Sequence, residues 1–71
     1  MTNNIKEINL NGYDTCFVEE QDDRGSFLLI AIPQNADNDI SDICGKFVNG
    51  HLITEVGYCK VDGNRFIKAY Y

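Results

Sequence analysis

The stretch Ser26-Phe27-Leu28-Leu29-Ile30-Ala31-Ile32-Pro33 is the tightest constraint on what this chain can fold into. Its six consecutive apolar residues, 27–32, carry no charge. A strand with one wet face alternates apolar and polar positions; this run does not, so both of its faces would be oily if extended. It falls far short of the ~20 apolar residues of a membrane helix. Gly25 and Pro33 bracket it too closely for a buried helix. The run is expected to be a central strand, with Leu28 and Ile30 on one face, Leu29 on the other, and all three buried.

Everything before it reads as strand. Asn11-Gly12 separates residues 5–10 from residues 13–20. An Asn-Gly pair between extended runs is a strong hairpin signal, because both residues accept the positive φ of a type I′ turn. In the second run Tyr13, Thr15 and Phe17 share one face, and Cys16 and Val18 the other. These residue types suit a pleated surface. The polar residues 21–25 then form a loop into the central strand, which completes a three-stranded meander.

After Pro33 the polar residues 34–38 read as a loop. Ile40, Ile43, Cys44 and Phe47 then recur at the i, i+3, i+4, i+7 spacing of an amphipathic helix. Asn38 or Asp39 can cap it, Asp39 and Asp42 suit the positive end of its dipole, and Asn49-Gly50 can end it. Gly45 opposes the helix at about 1 kcal/mol relative to Ala. The rival is a strand over residues 43–48 that turns at Asn49-Gly50. The helix is the favoured reading.

Residues 51–61 read as one long extended run, and residues 65–71 as the last strand, joined through Asp62-Gly63 or Gly63-Asn64. A two-residue loop places Leu52, Val56, Tyr58, Ile67, Ala69 and Tyr71 on the core face. Ile53, Cys59, Val61, Phe66 and Tyr70 then fall on the other, since a one-residue slip would exchange the faces. The expected architecture is a single α+β domain over residues 1–71, in the order β-β-β-α-β-β, with one short helix across an antiparallel sheet. The alternative is a small all-β open barrel.

Composition narrows the function. The formal net charge is −5, and the acids concentrate in residues 1–57. Such a body repels nucleic acid and anionic membranes and suits a basic partner. Cys16, Cys44 and Cys59 are odd in number and widely spaced, a poor disulfide framework. The polar Met1-Thr2-Asn3-Asn4 is unlike a signal peptide, and a reducing, cytoplasmic setting is expected.

Chemistry is thinly provisioned. Cys16, Cys44, His51 and Cys59 are ligand types for zinc, but no close Cys pair delivers two ligands from one turn. Residues 37–42 begin like a calcium loop, yet Asp42 and Val48 stand where an EF-hand needs Gly and Glu. His51 has no evident orienting partner, and the glycines are scattered at turns rather than gathered in a phosphate loop. No enzyme activity, cofactor or metal is expected. Lys60, Arg65 and Lys68 interleave with Tyr58, Phe66, Tyr70 and Tyr71, a pattern that can stack single-stranded bases. The acidic remainder of the chain opposes that reading.

The expectation is a small, acidic, non-catalytic protein-binding module: an inhibitor, adaptor or regulatory protein, of the kind phage and mobile elements encode. The alternatives are a single-stranded nucleic-acid-binding module and a protein with a cryptic Cys/His site. Phe66, Lys68 and Tyr70 on the last strand, and Asp22 and Asp23 at the acidic hairpin tip, are the candidate partner-binding residues. The last strand is expected at a sheet edge, where it or the sheet face beside it would form a homodimer or accept a foreign strand.

Overall fold

Three pairs of left-handed residues punctuate the chain: Asn11-Gly12 (φ 52° and 91°), Asn49-Gly50 (53° and 80°) and Asp62-Gly63 (52° and 83°). Positive φ at both central positions is the type I′ geometry, whose twist matches that of a two-stranded ribbon. In the computed structural model, which describes residues 4–71, each pair joins two antiparallel strands. The strands are β1 (Lys6–Leu10), β2 (Tyr13–Asp22), β3 (Gly25–Ala31), β4 (Phe47–Val48), β5 (His51–Leu52), β6 (Glu55–Val61) and β7 (Asn64–Tyr70). Five of them form one antiparallel sheet in the order β1-β2-β3-β7-β6, and β4 and β5 form a separate ribbon.

The registers run without interruption, so alternate residues share a face from one edge of the sheet to the other. One face presents Leu10, Phe17, Leu28, Ile30, Ile67 and Ala69, all buried. The segment between β3 and β6 crosses it and supplies Ile40, Ile43, Val48 and Ile53, which complete the core. Each such aliphatic side chain contributes about 1.5–3 kcal/mol when fully buried. The cover is pinned by the first hairpin. Asn11 donates from Nδ2 to the Asp39 carbonyl at 2.6 Å, and the Tyr13 hydroxyl accepts from the Asp37 N–H at 3.2 Å. From the far side, the Tyr58 hydroxyl meets Ser41 Oγ at 2.6 Å.

The α+β expectation is corrected: no α-helix is present among the described residues. The expected helix over residues 39–48 is one turn of 3₁₀ helix, Asn38–Ser41, followed by irregular chain and β4. Ile40 and Ile43 are buried as the helical stripe required, but Cys44 is exposed and Phe47 is 74% exposed. Gly45 explains the break. Its φ of +85° lies outside the right-handed helix, and Asn49-Gly50 closes a hairpin rather than capping a helix. The open-barrel alternative is replaced by a five-stranded sheet whose edges, β1 and β6, are separate, and by the ribbon that covers it.

The long run 51–61 is split. His51 and Leu52 pair with β4, and the chain rejoins the main sheet at Glu55. The break exchanges the faces before it, so Ile53 is buried and Leu52 is 45% exposed, the reverse of the sequence reading. After it, Val56, Tyr58, Ile67 and Ala69 hold the expected face, with Asp62-Gly63 as the two-residue loop. Tyr71, expected in the core, instead stacks on His51 with ring centroids 3.8 Å apart. The polar loop 21–25 contracts to a turn at Asp23-Arg24, because β2 runs to Asp22 and β3 begins at Gly25. Among the described residues no helix is long and apolar enough to cross a membrane.

β7 is not an edge strand. It lies between β3 and β6, with Ile67 opposite Ile30 on one side and Tyr58 on the other. Its backbone is paired in both directions, so addition of a second or foreign strand to β7 is closed off.

Candidate functional site

The face of the sheet turned away from the core is the candidate site. No segment of the described chain crosses it. Cys16 and Val18 on β2, Leu29 and Ala31 on β3, Phe66 on β7 and Cys59 on β6 lie there, all half-buried. Ile5, Cys16, Val18, Leu29, Ala31 and Phe66 surround a shallow depression of about 120 Å³. Leu29 was expected to be fully buried; it is half-exposed because β3 is covered on one side only. The charge-free run of β3 therefore reflects a core face and an apolar outer face, not two layers of cover.

At one end of this face the expected site residues come together. Tyr70 donates its hydroxyl to Asp22 Oδ2 at 2.8 Å, and Lys68 Nζ donates to the same oxygen at 3.1 Å. The Arg24 backbone N–H reaches the other carboxylate oxygen at 2.8 Å. Phe27 and Tyr70 pack with ring centroids 5.2 Å apart. The Arg24 guanidinium lies 4.9 Å over the Tyr70 ring, and Lys68 Nζ lies 4.7 Å over Phe27. Arg24 also pairs with Glu55. The cations lie over the aromatic faces and pair with the acids.

This arrangement changes the role of three expected residues. Tyr70 was expected as an exposed aromatic, but it is only 6% exposed under its charged neighbours. Asp22 was expected as a free acid at the hairpin tip; it is the acceptor at the centre of the cluster. Lys68 was expected as a partner-binding residue on an edge strand, and it bridges Phe27, Tyr70 and Asp22. Asp23 stays exposed in the turn, and Phe66 keeps its place on the apolar part of the face.

The hydrogen bond from Tyr70 lowers the Asp22 pKa most, with help from the Arg24 N–H and from Lys68, and brings it to about 2. Lys68 is raised above its ordinary value by the Tyr70 hydroxyl and the Asp22 carboxylate. Both shifts favour the charged forms, so the cluster is an ion pair across the working pH range.

The metal and thiol constellations do not form. Cys16 and Cys59 share the open face but are separated in the sheet by β3 and β7. Cys44 lies in the cover on the opposite side, where its thiol approaches the Thr54 carbonyl at 3.5 Å, and His51 is stacked on Tyr71. Among the described residues, no three His, Cys, Asp or Glu side chains gather where they could hold a metal ion. The basic and aromatic residues of the last hairpin are likewise divided. Lys68, Phe66 and Tyr70 lie on the open face, whereas Tyr58, Lys60 and Arg65 lie on the other.

Arg24, Phe27 and Glu55 belong to the cluster and were not picked out from the sequence. Nothing local could have found them, because Arg24 and Glu55 are 31 positions apart and meet only through the β2-β3-β7-β6 order. No family model, no curated protein and no solved structure matches the chain.

Proposed function

We propose that this chain is a small, acidic, non-catalytic protein-binding module that docks a basic partner on the open face of its sheet. The observation that carries the reading is the composition of that face. An apolar centre of Val18, Leu29, Ala31 and Phe66 is left uncovered by the described chain. Around it the register places Glu7, Asp14, Glu20, Asp22 and Glu55, while Lys68 and Arg24 are the cations beside them. Apolar surface of this kind marks interaction sites, and an acidic surround selects a basic partner and speeds its approach. A second copy would bring the same acids face to face. Three free thiols set apart from one another suit a cytoplasmic role.

The test is capture from the source cell followed by binding measurements on the purified partner. The expected result is an affinity that falls as salt rises, and a loss of tenfold or more for Leu29→Ser with the folded spectrum retained. A partner that binds Leu29→Ser and wild type alike would overturn the reading.

A further inference from the structure

A second concavity lies beside the β6–β7 hairpin, mostly on the core side of the sheet, with Cys59 and Phe66 of the open face at its border. It is a groove of about 440 Å³ between the 3₁₀ turn and the β6–β7 hairpin. Ile32, Ala36 and the fully buried Ile40 supply its apolar lining, and Tyr58, Lys60 and Arg65 line it from the hairpin side. The volume falls within the ~300–1,000 Å³ typical of small-molecule sites. Tyr58, which is 65% exposed, is held across the groove by its hydroxyl bond to Ser41.

The charges of the groove run against those of the molecule. The chain has eleven acids and six Lys or Arg residues. Arg24 and Lys68 are paired on the open face. Lys60 and Arg65 are instead directly opposite each other on β6 and β7. Like charges facing one another across an antiparallel pair are destabilising. Neither forms an ion pair among the described residues, although the chain has acids in excess. Asp37 is the acid among the lining residues, so two cations face one carboxylate beside an apolar floor. A bound anion would relieve the repulsion between Lys60 and Arg65.

We infer that this groove binds a small molecule with an apolar body and one anionic group. The body lies on Ile32, Ala36 and Ile40, with the ring of Tyr58 beside it, and the anion lies between Lys60 and Arg65. Phe66 borders both the groove and the docking face, but Leu29 lines only the latter and Lys60 and Arg65 only the former, so separate variants test the two readings and failure of either leaves the other standing.

Decanoate, held below its micellar concentration, is the probe, with decanol and decylammonium as controls of matched chain length. Titration of the isotopically labelled full chain, followed by amide chemical shifts, is expected to give saturable changes at Ala36, Ile40, Tyr58, Lys60 and Arg65. Decanol and decylammonium are expected to bind at least tenfold more weakly. Arg65→Glu is expected to weaken decanoate at least tenfold while leaving the thermal midpoint unchanged or raised, because the new carboxylate pairs with Lys60. Lys60→Gln serves as a second variant if Arg65→Glu does not fold. Decanol binding as tightly as decanoate, shifts that map to the open face, or a folded variant that binds like wild type would overturn the inference.

Discussion

At the scale of single residues, Asp22 shows how a surface acid becomes structural. With its pKa at about 2 in the folded chain against 3.8 ordinarily, its stabilising contribution is complete above pH ~3.8 and is lost as the pH falls through about 2. Lys68 behaves in the opposite sense. Its pKa is raised, so its contribution is complete below 10.5 and is lost as the pH rises through its higher folded value. Tyr70→Phe removes the hydrogen bond that lowers Asp22 most, and an NMR titration of the Asp22 carboxyl is expected to move back toward 3.8. An unmoved titration would show that Arg24 and Lys68 set the value without Tyr70. The same geometry separates Asp22 from Asp23. Asp22→Lys puts a second cation beside Lys68 and is expected to lower the urea midpoint, whereas Asp23→Lys changes an exposed turn residue and is expected to leave it unchanged. The central strand gives a parallel contrast. Leu28→Ala empties a fully buried position and is expected to cost about 2–5 kcal/mol in urea melts, and Leu29→Ala, half-exposed on the open face, clearly less. Equal losses would mean that the open face is covered after all.

At the scale of elements, the parts legible in the sequence are those set by local chemistry. Asn11-Gly12 and Asp62-Gly63 fix their hairpins within two residues, and the faces of β6 and β7 follow from the second by alternation. The cover was not legible, because its helical stripe of Ile40 and Ile43 is genuine while its backbone is not helical. Two buried residues at a spacing of three fit one turn of 3₁₀ helix and a bend as well as they fit an α-helix. Gly45 decides between the two and offers a test of opposite sign. In a helix, Gly45→Ala would stabilise by about 1 kcal/mol. At a φ of +85°, with open space where the Cβ would lie, the substitution meets no neighbour and strains the backbone alone, so a loss of about 1–2 kcal/mol is expected. A rise in the denaturation midpoint would restore the helix. Of the candidate site, the shared face of Phe66, Lys68 and Tyr70 could be read from alternation. The meeting of Tyr70 with Asp22 could not, since the residues are 48 positions apart and depend on β7 choosing β3 as its neighbour.

At the scale of the whole molecule, that choice of neighbour moves the exposed pairing groups from the C-terminal strand to β1 and β6, and it leaves one broad face of the sheet without cover. Apolar surface and free edges favour association, and charge opposes it. At neutral pH the formal charge is −5, and the open face carries more acids than cations, so copies of the chain repel one another where they would otherwise dock. Near the pI of about 4.5 the repulsion falls away. Asp22 remains ionised there and the cluster that shelters Tyr70 persists, so the fold still presents the same face. The expected outcome in light scattering at micromolar concentration is a monomer at pH 7 and larger species near pH 4.5. Leu29→Ser, which removes an apolar side chain from the centre of the face without altering formal charge, is expected to reduce that association while the folded spectrum is retained. A stable dimer at pH 7 would show that self-association prevails over the acidic surround, and the open face would then be an interface between copies rather than a dock for a basic partner.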